Sequence, residues 1–259
     1  MSHKYPPVQG GGSLIIAWQA RDKNIVVVGG GEVAAGRILH ALNADAKVTV
    51  ICPASGLNDE VAFRVSEGQV SHKDKHFEPA DLDGADMVLC AIDDPEASSR
   101  VWKLCKEKRI PANIADVPPE CDFYFGSVYR DGPLQVMVST NGNGPRLARI
   151  VRKKVADAIP DNMGTAIDNV GKLRKKLREI SPTAEEGPKR MKWYVNGKAP
   201  LYRQRTLKLK RRCKRMSGVC ESWSLEELVQ MGEQDMDRLL AHYASEEIPG
   251  FQQIRASNT

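Results

Sequence analysis

Three successive glycines, Gly29-Gly30-Gly31, followed by Glu32-Val33-Ala34, fit the spacing GxGxxA. Such a loop suits one chemistry in particular. Backbone N–H groups without side chains in the way can approach a phosphate, and a helix start behind them adds a favourable dipole. Gly29 suits the tight turn, Gly31 the approach to phosphate and Ala34 close helix packing, while Glu32 and Val33 complete the loop. The expected ligand is the pyrophosphate of a nicotinamide dinucleotide. One part of the fingerprint is absent: the segment Ile51-Cys52-Pro53-Ala54-Ser55 has no acid for a ribose 2′-hydroxyl and no Arg for a 2′-phosphate. NAD is therefore expected ahead of NADP, with Ser55 as the candidate for the ribose.

Two further carboxylates stand where strands are expected to end. Asp93, in Asp93-Asp94-Pro95, reads either as a ligand contact at the sheet edge or as part of a helix-capping turn. Asp116 closes a later strand, and its alternatives are likewise a site or a turn. His72 and His76 have the i, i+4 spacing of a helical metal pair, yet they lie in the polar run Lys73-Asp74-Lys75 and read as a solvated face. No metal site is expected.

The elements that must hold these groups follow from hydrophobic pattern. Asn24 to Val28 (NIVVV) is a β-branched run that reads as a strand buried on both faces, followed by a helix over Glu32 to Ala44. Lys47 to Ile51 and Asp86 to Ile92 read as further strands, Glu96 to Lys108 as a helix, and Ala112 to Ala115 as another strand. Strands alternating with helices imply right-handed crossovers and a parallel, Rossmann-like α/β sheet over residues 13–116, preceded by a loose tail at 1–12. Asp122 to Tyr129 and Leu134 to Thr140 read as a hairpin within a small region, 117–145. From Pro145 onward Leu147, Ile150, Val151, Val155 and Ile159 recur at helical spacing, opening a helical region at 146–259. Met163 to Ile180 reads as its second helix. Ser224-Leu225-Glu226-Glu227 is a capping box opening a helix that carries Leu225, Leu228, Val229, Met236, Leu239 and Leu240.

Composition sets outer limits. With 41% hydrophobic and 27% charged residues the chain is ordinary for a globular protein, and its early apolar run, Leu14 to Trp18, is too short to span a bilayer. Six cysteines without a CxxC pair fit a reducing, cytoplasmic setting. The net charge of +5 is uneven: residues 1–145 hold 14 Lys/Arg and 19 Asp/Glu, residues 146–259 hold 24 and 14. Nine of those positives fall in Tyr194 to Arg215, which has no acid at all. Without that stretch the net charge is 5 − 9 = −4, so the basic excess does not argue for nucleic acid.

The segments VVVGGGEVAAGRI (26–38), CAIDDPEASSRV (90–101), NIADVPPECDFYFG (113–126) and VMVSTNGNGPRLARIVR (136–152) resemble the siroheme-synthase family, and more narrowly its fungal bifunctional branch. The likeness covers about residues 13–180 and thins beyond. It implies NAD-dependent oxidation of precorrin-2 to sirohydrochlorin, followed by insertion of ferrous iron to give siroheme. It also implies that the Asp matching Asp116 serves both steps, with Asn113 beside it on the substrate side. Ser139-Thr140-Asn141-Gly142 resembles the family's substrate-cleft turn, although Gly144 stands where a hydroxyl residue is usual. The resemblance further implies a homodimer whose middle strands interlock. The substrate's many carboxylates call for a positive rim, for which Arg146, Arg149 and Lys153 at i, i+3, i+7 are candidates beside the reading of a merely solvated face. The stretch 194–215 departs from the family and reads as an atypical basic insertion, with a retained in-frame intron or a mis-predicted exon as its expected origin.

Overall fold

The computed structural model describes residues 10–183, 218–245 and 248–256. The expected insertion at 194–215 and most of the expected tail lie outside them. The chain divides into two compact units, Met1–Gly126 with Ser139–Pro145, and Ser127–Val138 with Arg146–Thr259. The stretch 117–145 is thus shared between the two.

In the first unit a five-stranded parallel sheet has the order β3-β2-β1-β4-β5. Its strands are β1 (Asn24–Val28), β2 (Lys47–Ile51), β3 (Ser71–Lys73), β4 (Met87–Cys90) and β5 (Ala112–Ile114), connected by α1 (Glu32–Leu42), α2 (Asp59–Ser66) and α3 (Pro95–Lys108). The β-branched runs become central because parallel strands bury both faces. On one face Ile25, Val27, Val48, Val50 and Leu89 pack with Ala34, Ala35, Ile38 and Val61 of α1 and α2. On the other, Val26, Val28, Ile51, Val88 and Cys90 pack with Val101 and Cys105 of α3.

Two elements of this unit carry little apolar signal. Helix α2 starts where the Asn58 side chain accepts a hydrogen bond from the Val61 N–H at 2.9 Å. Strand β3 is a three-residue edge strand of sequence Ser-His-Lys, so its address comes from pairing with β2 rather than from burial. His72 therefore sits in a strand, and its Nε2 donates to the Cys52 carbonyl at 2.8 Å.

The second unit holds the hairpin β6 (Ser127–Asp131) and β7 (Leu134–Val138), with helices α4 (Pro145–Asp157, its first residue counted with the sheet unit), α5 (Met163–Ile180), α6 (Val219–Ser222), α7 (Leu225–Gln230), α8 (Glu233–Ala241) and α9 (Phe251–Ala256). The hairpin begins later than expected. Asp122 and Phe123 are tied to β5 instead, through Asp122 N to Ala112 O, Ala112 N to the Asp122 carboxylate, and Asn113 Nδ2 to Phe123 O. The hairpin packs on α5 at Gly164, whose N–H donates to the Asp131 carboxylate at 2.8 Å; a Cβ there would lie 2.5 Å from the Asp131 carbonyl oxygen.

The Ser224 capping box forms as the sequence predicts, with Glu227 N donating to Ser224 Oγ and Ser224 N to the Glu227 carboxylate. The helix behind it is broken, however. Met231-Gly232 ends α7, and the Gly232 N–H is taken by the Asp235 carboxylate as α8 starts afresh. The break lets Leu228, Met231, Met236 and Leu239 join Leu173, Leu177, Trp223 and Phe251 in one core.

Candidate active site

The glycine loop lies at the carboxyl edge of the sheet, and each glycine has a different reason to be there. Gly29 has φ +113°, and a Cβ on it would come within 2.1 Å of the Ala91 carbonyl oxygen, so the turn excludes any side chain. Gly30, which the GxGxxA spacing leaves free, is constrained as well. A Cβ there would lie 2.7 Å from Leu57 and 2.9 Å from the Gly56 carbonyl oxygen, in the turn that follows β2. A Cβ on Gly31 would meet nothing within 4 Å. This is the glycine that faces open space at the start of α1, where a phosphate can approach backbone N–H groups. Glu32 and Val33 follow on the exposed side of the same turn.

Beside the loop a cleft of about 410 Å³ opens between the ends of β1, β2 and β4, lined by Gly29, Pro53, Phe77, Ile92 and Val101 among others, with Lys75, His76, Asp94 and Arg100 at its walls. A glycine turn with one open face beside a mostly apolar cleft fits a dinucleotide, with phosphates at the turn and a flat base in the cleft. Ser55 lies in the one-turn helix Ala54–Gly56 after β2, exposed and outside the cleft lining. Asp94, not Asp93, caps α3, its carboxylate accepting the Ala97 N–H at 2.9 Å. Asp93 is exposed at the end of β4.

Asp116 shares this edge. Val28 pairs with Cys90 and Cys90 with Ile114, so Gly29, Ala91 and Ala115 form the next row, and Asp116 stands one residue beyond it. Two strand spacings separate the glycine loop from the end of β5, about 10 Å. Asp116 is exposed, with φ 59°, a left-handed conformation that Asp tolerates better than most residues. Arg37 of α1, whose guanidinium lies 4.0 Å over the Phe125 ring, is pushed down in pKa by burial, while nearby Cys121 and Asp116 push it back up. His40 meets the same ring edge-on at 5.5 Å. Arg37 and Phe125 carry no motif; folding α1 against the 122–125 strap brings them to Asp116.

The other expected contacts divide. Asn113 is 4% exposed and its Nδ2 donates to the Phe123 carbonyl, which ties β5 to the 122–125 strap. Ser139 Oγ accepts the Asn141 N–H and Thr140 Oγ1 accepts the Gly144 N–H, both at 3.1 Å, which leaves both hydroxyl protons to donate elsewhere. Asn141, left-handed at φ 52°, accepts from Ser13 Oγ at 2.6 Å and donates to Gly11 O at 2.9 Å. On α4, Arg146 and Arg149 are exposed and have no ion pair among the described residues, whereas Lys153 is paired with Asp157. Among the described residues no three metal-binding side chains gather. The cysteines there are free, and burial pushes Cys105 up to about 12.

These features define a dinucleotide-binding domain, and a family model described as putative NAD(P)-binding matches residues 16–127. Models for the sirohaem biosynthesis protein central and C-terminal regions match residues 131–158 and 160–249. The chain is 50% identical over 98% of its length to the siroheme biosynthesis protein met8 of Schizosaccharomyces pombe, covering 88% of that protein. It belongs to the siroheme biosynthesis family. The siroheme synthase of Methylobacillus flagellatus is 34% identical over 67% of this chain, which spans 37% of that longer protein. Among solved structures, SirC, a precorrin-2 dehydrogenase, shares the fold with a TM-score of 0.57 at 16% identity, over 94% of this chain and all of that one. Among the described residues no helix is long and apolar enough to cross a membrane.

Proposed function

We propose that this chain is a bifunctional enzyme of siroheme synthesis, oxidising precorrin-2 to sirohydrochlorin with NAD and then inserting ferrous iron. The observation that carries this reading is an exposed carboxylate, Asp116, on the same sheet edge as the dinucleotide loop, in a chain half identical to a siroheme biosynthesis protein over nearly its whole length. Gly29, Gly30 and Gly31 with the start of α1 at Glu32 and Val33 would hold the pyrophosphate, and Asp93 and Ser55 flank the same edge. NAD, when bound there, would supply the hydride acceptor for oxidation of the macrocycle. Asp116 accepts the accompanying proton, and in the second reaction it takes pyrrole N–H protons as ferrous iron, a substrate, enters the ring. A carboxylate suits both tasks because it moves protons without gripping the metal in a soft-ligand cage. Ser139 and Thr140 keep hydroxyl donors for the substrate, and the guanidinium groups of Arg146 and Arg149, without an ion pair among the described residues, match its carboxylates.

A homodimer is part of this proposal. Leu147, Ile150, Val151 and Val155 on α4 are 37–57% exposed, and the cross-strand pair Val128 and Met137 on the hairpin is 41% and 37% exposed, more apolar surface than one copy covers. The free, partly buried thiols support a cytoplasmic setting.

The test is Asp116→Asn in the purified protein, following NADH formation from precorrin-2 and the spectral change when ferrous iron is added to sirohydrochlorin. Both rates are expected to fall by roughly 10²–10⁴-fold with NAD binding retained. Unchanged rates would overturn the assignment; loss of only the first would confine Asp116 to the oxidation step, and a wild type that does not speed iron insertion over a no-enzyme control would leave the chain a dehydrogenase alone.

A further inference from the structure

Rossmann domains that prefer NAD usually carry a carboxylate at the end of the second strand, where it accepts the ribose hydroxyls and repels a 2′-phosphate. Here β2 ends in Ile51-Cys52-Pro53-Ala54-Ser55, without an acid. The neighbouring strand supplies one. Ile51 pairs with Lys73, so Asp74 leaves β3 level with Cys52, on the carboxyl edge of the sheet. Its Oδ1 accepts the Ala54 N–H at 2.7 Å. Two more hydrogen bonds lock the same strand ends together, Cys52 N to Lys73 O at 3.3 Å and His72 Nε2 to Cys52 O at 2.8 Å. The second carboxylate oxygen of Asp74 has no partner among the described residues. Pro53 on one side, and Lys75 and His76 on the other, line the cleft directly.

We propose that Asp74 is the ribose-reading carboxylate of the dinucleotide site, contributed by β3 in place of the missing acid on β2, and that it sets the preference for NAD over NADP. This rests on the dinucleotide reading of the glycine loop. The other charges around the cleft agree with it. Asp94 is committed to capping α3 through Ala97 N. Lys75 is held by Glu78 at 2.6 Å and Asp81 at 3.0 Å, so its charge is already matched. Arg100, exposed on the α3 wall and without an ion pair among the described residues, is the one group there that pulls toward a 2′-phosphate.

The experiment is equilibrium titration of the purified full-length chain with NAD and with NADP, read by protein fluorescence or calorimetry. The wild type is expected to bind NAD more tightly. Asp74→Asn keeps an oxygen for the Ala54 N–H but drops the charge, and is expected to shrink the NAD-to-NADP affinity ratio about tenfold, the difference between a charge-assisted and a neutral hydrogen bond. Adding Ala54→Asp to that variant returns an acid to β2 and is expected to restore the ratio, which a merely unfolded variant would not show. An unchanged ratio in Asp74→Asn overturns the proposal, and so does a wild type that favours NADP, which would make Arg100 the governing residue. A wild type that binds neither dinucleotide refutes the underlying reading of the glycine loop instead.

Discussion

In the sheet unit, the apolar side chains of β1, β2 and β4 find cover on both faces from α1, α2 and α3. In the helical unit, α5 and the helices after Gly218 close a core of their own, but α4 leaves Leu147 57% and Ile150 48% exposed. Both regions follow the same hydrophobic rules, so the difference lies in what each copy of the chain can bury alone. The strands of the cofactor half share a covered core and a loop set by backbone contacts, although Leu14, Ile15, Ile16 and Phe63 outside that core are 56–86% exposed. The half that carries the hairpin and α4 leaves exposed the apolar side chains that the proposed homodimer would bury.

The sharpest way to test the self-sufficiency of the sheet unit is to separate folding from binding at two neighbouring glycines. Gly29→Ala forces a Cβ against the Ala91 carbonyl at a left-handed φ, and thermal melting should report a loss of about 3 kcal/mol or more. Gly31→Ala meets open space, so its melting temperature should stay put while NAD affinity falls about tenfold or more, measured by titration. Equal effects at the two positions would erase the distinction between turn and ligand face.

For the other region, Leu147→Glu with Ile150→Glu should convert the chain to a monomer by analytical ultracentrifugation while NAD binding persists. An unmodified protein that is already monomeric would show that the exposed face of α4 needs no second copy.

A smaller effect is expected at Asp81, whose side chain is 3% exposed beside Lys73 and Lys75. Burial alone would raise its pKa, but hydrogen bonds from Lys73, the Glu78 backbone and Lys75 outweigh it and hold the carboxyl below its usual range. A depressed native pKa stabilises the fold above the unfolded-state pKa and loses that stability as pH falls through the native one. Asp81→Asn should therefore cost about 1–3 kcal/mol at neutral pH, by denaturant melts, with the gap to wild type closing in acid.

Several of these features are legible from residues alone. NIVVV before three glycines specifies a buried strand and a phosphate loop because β-branched burial and side-chain-free turns are local demands. Ser224 with Glu227 predicts its capping box for the same reason, since both partners lie within one helical turn. The break at Met231-Gly232 is not legible that way. It depends on Asp235 taking a backbone N–H and on Met231 turning into a core assembled from distant helices. Strand β3 escapes notice because three polar residues at a sheet edge have no apolar period.

The chain's order of residues thus decides which segments become strands and helices, where the phosphate loop lies and which acid ends β5, because these depend on periodicity and on neighbours within a few positions. Only the folded sheet decides that Gly30 must also be glycine, that Asn113 serves a strap, that Arg37 faces Asp116, and that Asp74 reaches the end of β2. Each of those joins groups from 10 to 79 residues apart, Asn113 to Phe123 and Arg37 to Asp116 at the extremes, and the folded sheet brings them together at a distance that no local pattern encodes.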